Sequence, residues 1–405
     1  MKWTTRPLAD LADFRLGKML DEKKNRGESR PYLANVNVRW GEFDLAALRQ
    51  MRFEEDELDK YGLRYGDIVM CEGGEPGRCA IWRDAVPGMM IQKALHRIRP
   101  NEQIDHLFLF YSFLQKGKTG AFAPLITGAT IKHLPKEKLA QVRIEFPELE
   151  IQRKIAATLS TYDDLIENNR RRMRLLEESA RLLYQELFVR PLSSREGGVA
   201  HGLPEGWRSA PLGSITSKIG SGATPRGGSA AYVSKGVTLI RSMNVYDERF
   251  DDDGLAFIDD RQAEDLNGVT VMAHDILLNI TGASVGRCCM APERFLPARV
   301  NQHVAIIRVD PEKASPFLVQ AALNSDERKR QLLSYAQKGS TREALTKEML
   351  ERFEIVLPPS HLTNRFDELA RPAFSLRENL AHQNQKLKTA RDLLLPRLMS
   401  GELNV

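Results

Sequence analysis

The sequence predicts a mixed α/β (α+β) fold with two α/β domains in tandem, each followed by a long α-helix. The two helices are expected to pair as an antiparallel coiled coil with pseudo-twofold symmetry. Three observations predict this arrangement. A large part of the chain occurs twice, each copy begins with short β-type runs between Gly-rich turns, and each copy ends in a long run with heptad spacing.

The repeat is clearest where the segment Gly128 to Pro147 matches the segment Gly339 to Pro358, with eight identical residues in twenty positions. Upstream, GDIVMCEGGEPGRC matches HDILLNITGASVGRC, and NVNV matches SMNV. We align Gln92 with Gln302 and Lys93 with His303. A repeat of this length indicates tandem duplication of a large unit rather than a solenoid of short repeats.

The first part of each copy predicts a compact α/β domain, at residues 1–147 and 207–358. Short β-type runs separated by turn residues indicate strands. These runs are DIVMCE and CAIW in the first copy, and DILLNI and HVAIIRV in the second. Each copy also has a helical stretch, DHLFLFYSFLQ and SPFLVQAALNSDERKRQLL.

The second part of each copy predicts a long helix, at residues 148–190 and 359–399. A polar linker is expected at 191–206 and a C-terminal tail at 400–405. Apolar or small residues alternate by three and four positions, which is typical of a coiled-coil seam. Pro396 is expected to end the second helix. The residues predicted to pair the helices are Leu159, Tyr162, Ile166, Asn169, Met173, Leu176 and Leu183 in the first, and Leu369, Leu376, Leu380, Gln383, Leu387 and Leu394 in the second.

The two apolar seams must be buried, and the simplest partner for each helix is the other. Asn169 and Gln383 lie near the middle of the two helices, so we expect them to form a polar pair that sets the register; an exposed Asn at the seam edge is the alternative. Antiparallel pairing would carry the two domains to opposite ends of a rod. That geometry suits duplex DNA, where the frame of the protein sets the half-site spacing.

The bulk composition permits nucleic-acid binding without requiring it. The chain has 405 residues, a net charge of +5 and a pI of about 8.9. We expect an intracellular protein, because the start of the chain does not resemble a signal peptide and no apolar run reaches the length of a membrane span. The four cysteines lack paired spacing and are predicted to be reduced thiols rather than zinc ligands or disulfides.

The search for catalytic motifs gives almost nothing. In FLQKGKTG, Ser112 occupies the position of the first P-loop glycine. GSGATP and TGASVG lack the full dinucleotide-binding fingerprint. The sequence therefore predicts no catalytic residue, no metal site and no cofactor in this chain.

Candidate DNA-binding residues cluster instead on the predicted loops. Arg and Lys can neutralise phosphates, Arg can bind guanine, and Asn or Gln can bind adenine. For any one of them a solvated surface role is the alternative, so the prediction depends on the set. Its members are Arg15, Lys18, Arg30, Arg39, Arg78, Lys93, Lys116, Lys118, Lys132, Lys218, Ser221, Arg226, Arg241, Asn244, Arg287, Gln302, His303, Lys338, Ser340, Thr341 and Arg342.

The sequence resembles the DNA-specificity (S) subunits of type I restriction-modification systems over essentially its whole length. The segments that carry the resemblance are SKIGSGATPRGG and YVSKGVTLIRSMNV in the second copy, YLANVNVRWGEFDL and YGLRYGDIVMCEGGEPGRCAIW in the first, FPELEIQRKIAATLSTYDDLIENNRR at the first helix, and LLLPRLMSGEL near the C-terminus.

The resemblance implies a non-catalytic, cytoplasmic subunit whose two target-recognition domains bind the halves of a bipartite, asymmetric DNA site. The paired helices would fix the spacer between the halves. Two modification (methyltransferase) subunits with S-adenosylmethionine, and two restriction subunits with ATP and Mg, would bind to it. The alternatives are a methyltransferase or nuclease with built-in catalysis, and a coiled-coil adaptor that binds other proteins.

Overall fold

The computed structural model describes residues 3–22, 25–193, 202–337 and 344–405. The chain divides into two compact units, residues 1–167 with 385–405, and residues 168–384. Each unit holds one α/β domain and a part of both long helices. The predicted fold class, tandem α/β domains with long helices, is confirmed.

The described part of the first domain contains three sheets and helices that cover them. Its strands are β1 (Thr4–Pro7), β2 (Ala12–Leu16), β3 (Glu28–Leu33), β4 (Arg49–Phe53), β5 (Ile68–Cys71), β6 (Cys79–Ile81), β7 (Met90–Ile91), β8 (Leu95–Pro100) and β9 (Arg143–Phe146). Its helices are α1 (Glu55–Tyr61), α2 (His106–Lys118) and α3 (Lys136–Ala140), followed by the long helix α4 (Leu149–Tyr184).

The chain continues from α4 through one π-helical segment, Gln185–Val189, into the short helix α5 (Arg190–Ser193). The strands of the second domain are β10 (Arg208–Pro211), β11 (Thr216–Ser221), β12 (Val237–Ile240), β13 (Ala256–Ile258), β14 (Thr270–Val271), β15 (Ile276–Asn279), β16 (Cys288–Met290), β17 (Ala298–Val300), β18 (Val304–Val309) and β19 (Glu354–Leu357). Its helices are α6 (Asp260–Asp265), α7 (Pro316–Asn324), α8 (Asp326–Gln337) and α9 (Lys347–Glu351), and the second long helix is α10 (Ser360–Met399).

The sheets of the two domains follow the same topology, except that the second sheet of the second domain has one more strand, β14. The main sheet has the order β2-β8-β5-β6 in the first domain and β11-β18-β15-β16 in the second. A second sheet has the order β4-β3-β7 or β13-β12-β17-β14, with one parallel pair in each case. The first and last strands of each domain form an antiparallel pair, β1 with β9 and β10 with β19. The duplication seen in the sequence is therefore a duplication of the whole domain fold.

A buried ion pair recurs at the same place in both main sheets. Asp67 is 1% exposed and accepts two hydrogen bonds of 2.7 Å from Arg99. Asp275 is fully buried and accepts bonds of 2.8 and 2.7 Å from Arg308. In each domain the hydrogen bond to the aspartate raises the pKa of the arginine, so the guanidinium group remains charged.

The helices beside the main sheets supply much of the apolar core. In the first domain α2 buries Phe108, Phe110, Tyr111 and Phe113 almost completely. In the second, the predicted single helical stretch is two helices, because Ser325 takes an extended conformation between α7 and α8. Among the described residues, no helix is both long enough and apolar enough to cross a membrane.

The four cysteines are buried free thiols, as predicted. Burial raises the pKa of the Cys288 thiol to about 12 and also raises the pKa of the Cys71, Cys79 and Cys289 thiols. The neutral thiol is therefore the form present at physiological pH, and these side chains act as small apolar core residues.

The long helices run antiparallel within each unit. In the second unit Asn169 donates a hydrogen bond of 2.9 Å to Asn384, and Phe188 packs against Phe366 with ring centroids 5.4 Å apart. In the first unit Asp163 accepts hydrogen bonds from Arg391 and Tyr111, the latter of 2.6 Å. Residues later in α4 contact residues earlier in α10, which confirms the predicted antiparallel direction.

Three predicted pairing residues of α10 were placed one position too early. Leu369 is 59% exposed, Leu376 is 38% exposed and Gln383 is exposed. The residues that follow them, Ala370, Arg377 and Asn384, face α4 instead. From Phe366 onward, the seam residues of α10 are spaced by four and then three positions. The prediction from sequence had selected the leucines instead, because they are more apolar. Arg377 is accommodated because it pairs with Glu177 at 3.2 Å.

The other predicted pairing residues lie in or beside the seam. Leu159, Ile166, Asn169 and Leu380 are buried, and the remaining members are partly buried: Tyr162, Met173, Leu176, Leu183, Leu387 and Leu394.

Pro396 does not end the second helix, which continues to Met399. Leu395, Leu398 and Met399 are at most 6% exposed and pack into the core of the first unit. Proline removes one backbone hydrogen bond, and we attribute the continuation of the helix to this burial, which offsets the loss near the helix end. Pro372 also lies within α10.

We expect Asn169→Leu to lower the free energy of unfolding by about 1–3 kcal/mol, because it removes a hydrogen bond from the buried Asn384. Asn168→Leu is the matched control, since Asn168 is exposed; its effect should stay within about 0.5 kcal/mol. Chemical denaturation of both variants measures the difference. Equal stabilities would show that the Asn169–Asn384 hydrogen bond does not stabilise the helix pair.

Candidate nucleic-acid interface

The loops of the first domain meet at one end of its main sheet. Lys18 N donates to the Ile91 carbonyl at 3.0 Å, and Glu72 N donates to the Ala94 carbonyl at 2.9 Å. Arg78 reaches the Asn35 carbonyl with a bond of 2.9 Å. These bonds join the loops that follow β2, β3, β5 and β7 into one surface, which we call the first loop face.

The second domain builds an equivalent second loop face with the same backbone bonds. Ala223 N donates to the Val300 carbonyl at 3.1 Å, and Ile280 N donates to the His303 carbonyl at 3.0 Å. Asn279 holds the loop after β12 through a side-chain bond of 2.9 Å to the Ser242 carbonyl. Both domains therefore present their connecting loops on a fixed frame, which is where binding residues are commonly found.

The same type of turn occurs once in each loop face. Asn37 and Asn244 each accept a hydrogen bond from the residue three positions earlier and donate to a carbonyl seven positions later, at 2.9–3.1 Å. The middle residues of these turns, Val36 and Met243, are 56% and 50% exposed. The asparagines thus fix a turn whose tip carries an exposed apolar side chain.

This geometry corrects two of the predicted DNA-binding residues. Asn244 is fully buried, and its amide group is used within the turn. Lys18 is 3% exposed, forms an ion pair with Glu57 and donates to the Arg52 carbonyl at 2.9 Å. Burial and these bonds leave neither side chain available to DNA.

The remaining predicted residues differ in their exposure and partners. On the first loop face Arg39 and Lys93 are exposed, while Arg78 is mostly buried beside Glu75. Lys132, in the connection between α2 and α3, is also exposed. On the second, Ser221, Arg226 and Gln302 are exposed, and His303 is partly buried. Arg226 is 85% exposed, and its nearest carboxylate, that of Asp265, is 4.0 Å away.

Other candidates are held by protein partners, as each of these bonds shows: Arg30 to Glu28 at 2.7 Å, Lys118 to Asp392 at 2.6 Å, Lys218 to the Gly268 carbonyl at 2.6 Å, and Arg241 to the Gly254 carbonyl. Arg15 lies in β2, 3.8 Å from Asp13. Burial lowers the pKa of Lys116 and of Lys218. Lys338, Ser340, Thr341 and Arg342 lie outside the described residues.

The loop faces contain side chains that sequence reasoning missed. The guanidinium groups of Arg249 and Arg287 lie 4.7 and 4.8 Å from the ring centroid of Tyr246. Trp40 is 40% exposed and donates a 2.8 Å bond to Glu75. Arg287 was predicted, but the aromatic partner that orients it could not be identified from spacing alone.

The backbone bonds also correct the alignment of the two copies. Gln92 N donates to the Leu33 carbonyl and Asn301 N donates to the Ile240 carbonyl, each at 3.0 Å. Asn301, and not Gln302, is therefore the counterpart of Gln92. The exposed tip of this turn is Lys93 in the first domain and Gln302 in the second.

The amide of Gln302 is held by a polar network. Thr224 donates to its Oε1 at 2.6 Å, and its Nε2 lies 3.0 Å from Nε2 of His303. The other ring nitrogen of His303 lies 2.6 Å from the hydroxyl of Thr281. Neither threonine was identified from the sequence, because the network joins three loops that are distant along the chain.

An acidic loop lies beside the second loop face. Asp251, Asp252 and Asp253 bring one carboxylate oxygen each within 4.8 Å of one another. Asp251 lies 3.7 Å from Arg249, and Asp252 lies 3.7 Å from Arg294. The neighbouring cations balance part of this charge.

Comparisons with known proteins show which proteins the chain is similar to. Residues 1–178 match the family model of the type I restriction modification DNA specificity domain. The chain is 24% identical to the type I restriction enzyme MjaIX specificity subunit of Methanocaldococcus jannaschii, over 100% of this chain and 94% of the relative. It is 20% identical to the HindI specificity subunit of Haemophilus influenzae, over 85% and 88% of the two chains. The S subunit of a type I system from M. genitalium superposes with a TM-score of 0.59 at 16% identity, over 98% of this chain and 96% of that one.

Proposed function

Because the chain belongs to the DNA specificity subunits of type I restriction-modification systems, we propose that each of its domains binds one half of a bipartite, asymmetric DNA site. One observation carries the proposal. The two domains share their sheet order and their buried Asp–Arg pair, yet they present different side chains at the same exposed turn, Lys93 and Gln302. Two equal frames with unequal contact residues suit two unequal half-sites.

Most of the binding free energy would come from phosphate contacts, and specificity would come from base contacts. Exposed cations such as Arg39, Lys132 and Arg226 suit the phosphate role, because their side chains can reach a duplex without leaving a buried partner. Gln302 and Lys93 at the turn tips suit the base-contacting role.

We further propose that the paired helices set the spacer between the half-sites. Each unit contains residues of both long helices. In each unit a polar bond joins the two helices, partly buried at Asp163–Arg391 and buried at Asn169–Asn384. A helix advances 1.5 Å per residue, so the length of the helices would set the distance along DNA between the two half-sites.

Partner subunits would supply the catalysis. We propose two modification subunits that bind S-adenosylmethionine and methylate adenine, and two restriction subunits that use ATP and Mg, all acting in the cytoplasm; this chain would contribute no catalytic residue. Exposed leucines support a docking role for the helices. Leu175 and Leu182 on α4 are 54% and 51% exposed and seven residues apart, and Leu369 and Leu376 on α10 have the same spacing.

Mapping of methylated adenines across the genome tests this function. Cells with the modification subunit and this chain should carry methylated adenines within one bipartite motif with two different half-sites. Cells with the modification subunit alone should lack that motif. A single continuous motif, or methylation that does not depend on this chain, would contradict the proposal and favour an enzyme with built-in catalysis or an adaptor.

A further inference from the structure

The most informative difference between the loop faces is one residue in the turn that precedes β8 in the first domain and β18 in the second. Backbone bonds to the same partners place Lys93 and Gln302 at equivalent positions, and both side chains are exposed. A substitution at an exposed turn tip, on an otherwise shared frame, changes what the domain can contact without changing its fold.

Gln302 is oriented before any ligand binds. Its Oε1 accepts from Thr224 at 2.6 Å, and its Nε2 contacts His303 at 3.0 Å. These two contacts use one acceptor position and one N–H of the amide, which has two of each. One acceptor position and one donor therefore remain. The opposite orientation of the amide would leave the same pair, since the network would reverse with it.

The residues that orient Gln302 occur only in the second domain. Through the backbone bonds of the two loop faces, Thr224 corresponds to Met19, Thr281 to Gly73 and His303 to Ala94. The side chains of the first-domain residues cannot form such bonds. The threonine–histidine network is thus specific to the domain that carries a glutamine at the turn tip, where a side-chain amide needs to be held in one orientation.

We propose that Gln302 binds the adenine of an A·T pair in the major groove of the second half-site. This rests on the proposed function of the domain. Adenine presents one donor and one acceptor side by side, its N6 amino group and N7, whereas guanine presents two acceptors. The free donor and acceptor of Gln302 complement adenine, and the ammonium group of Lys93, which only donates, complements guanine. The structure thus assigns an adenine contact to the second domain and a guanine contact to the first.

The test uses the chain assembled with its modification subunit, with methylation rates measured on duplexes that differ at single positions of the motif. Gln302→Ala should reduce the preference for A·T at one position of one half-site by about 5- to 150-fold. The other half-site and the spacer should not change. Lys93→Ala is the matched variant, because it should relax a G·C position in the other half-site only.

The orienting role of Thr224 is tested separately. Thr224→Val keeps the shape of the side chain but removes the donor to Gln302, so the preference at the same A·T position should fall. Thr224→Ser restores the hydroxyl and should restore the preference. A purely structural role of Thr224 would instead lower methylation of all sites alike.

Three outcomes would overturn the inference: Gln302→Ala leaves every position of the motif unchanged, relaxes a position that is not A·T, or relaxes both half-sites. Thermal unfolding of each variant distinguishes these outcomes from misfolding. Failure of the proposed function itself would appear differently, because the native chain would then direct no bipartite motif at all.

Discussion

Replacement of Asp275 by alanine is expected to destabilise the second domain by about 3 kcal/mol. The carboxylate is fully buried, receives two hydrogen bonds from Arg308 and accepts a third, of 2.7 Å, from the Met272 amide. Its loss leaves a mostly buried guanidinium group without its counter-ion. The value lies at the lower end of the range for broken buried pairs, because Arg308 keeps 23% of its side chain exposed.

Hydrogen exchange of the intact protein measures this effect domain by domain. Asp275→Ala should reduce protection of β15 and β18, and Asp67→Ala should reduce protection of β5 and β8. The control is Asp265→Ala, which removes an exposed partner 4.0 Å from Arg226 and should cost at most about 1 kcal/mol. If the buried and exposed aspartates behaved alike, the ion pair would not be a principal support of the sheet.

The strands and the domain repeat could be predicted from the sequence because their signals are local. Runs such as DIVMCE and DILLNI are buried strands in the structure, as β5 and β15. The pairing of the two helices, though not their antiparallel direction, followed from one physical requirement, the burial of two long apolar seams.

The individual seam residues could not be predicted, because an assignment from heptad spacing selects apolar residues. Leu369 and Leu376 were predicted to lie in the seam because they are apolar, whereas the seam positions hold the buried Ala370 and the partly buried Arg377. An arginine becomes acceptable in a seam only when its partner is known, and Glu177 lies on the other helix. The same limit affected Lys18, whose partner Glu57 comes from a distant helix.

The candidate site was predicted at the level of loops but not of individual contacts. Gln302 and His303 were identified from residue type, whereas the threonines that orient them were not. The alignment of the copies was also shifted by one residue at this turn, because the matching glutamines were more similar in type than in backbone position.

Lengthening the paired helices is expected to change the DNA spacer without changing the half-sites. One heptad inserted after Glu167 in α4, and another after Asn384 in α10, would keep the seam in phase. Both insertions fall at the boundary between the two units, so the contacts within each unit remain. Seven residues add about 10.5 Å of helix, which corresponds to about three base pairs at 3.4 Å each.

The same seven residues inserted in the predicted linker at 191–206 provide the control. That insertion adds chain length but no helix within the paired segment, so the preferred spacer should not change. A shift caused by the linker insertion would show that the tether between the copies, rather than the helix pair, sets the distance.

The most direct test maps methylated adenines in cells that contain the modification subunit and either the native chain or the chain with both heptads. We predict the same two half-sites in both cases, with a spacer longer by about three base pairs in the second. An unchanged spacer, or new half-site sequences at the old spacing, would contradict the account.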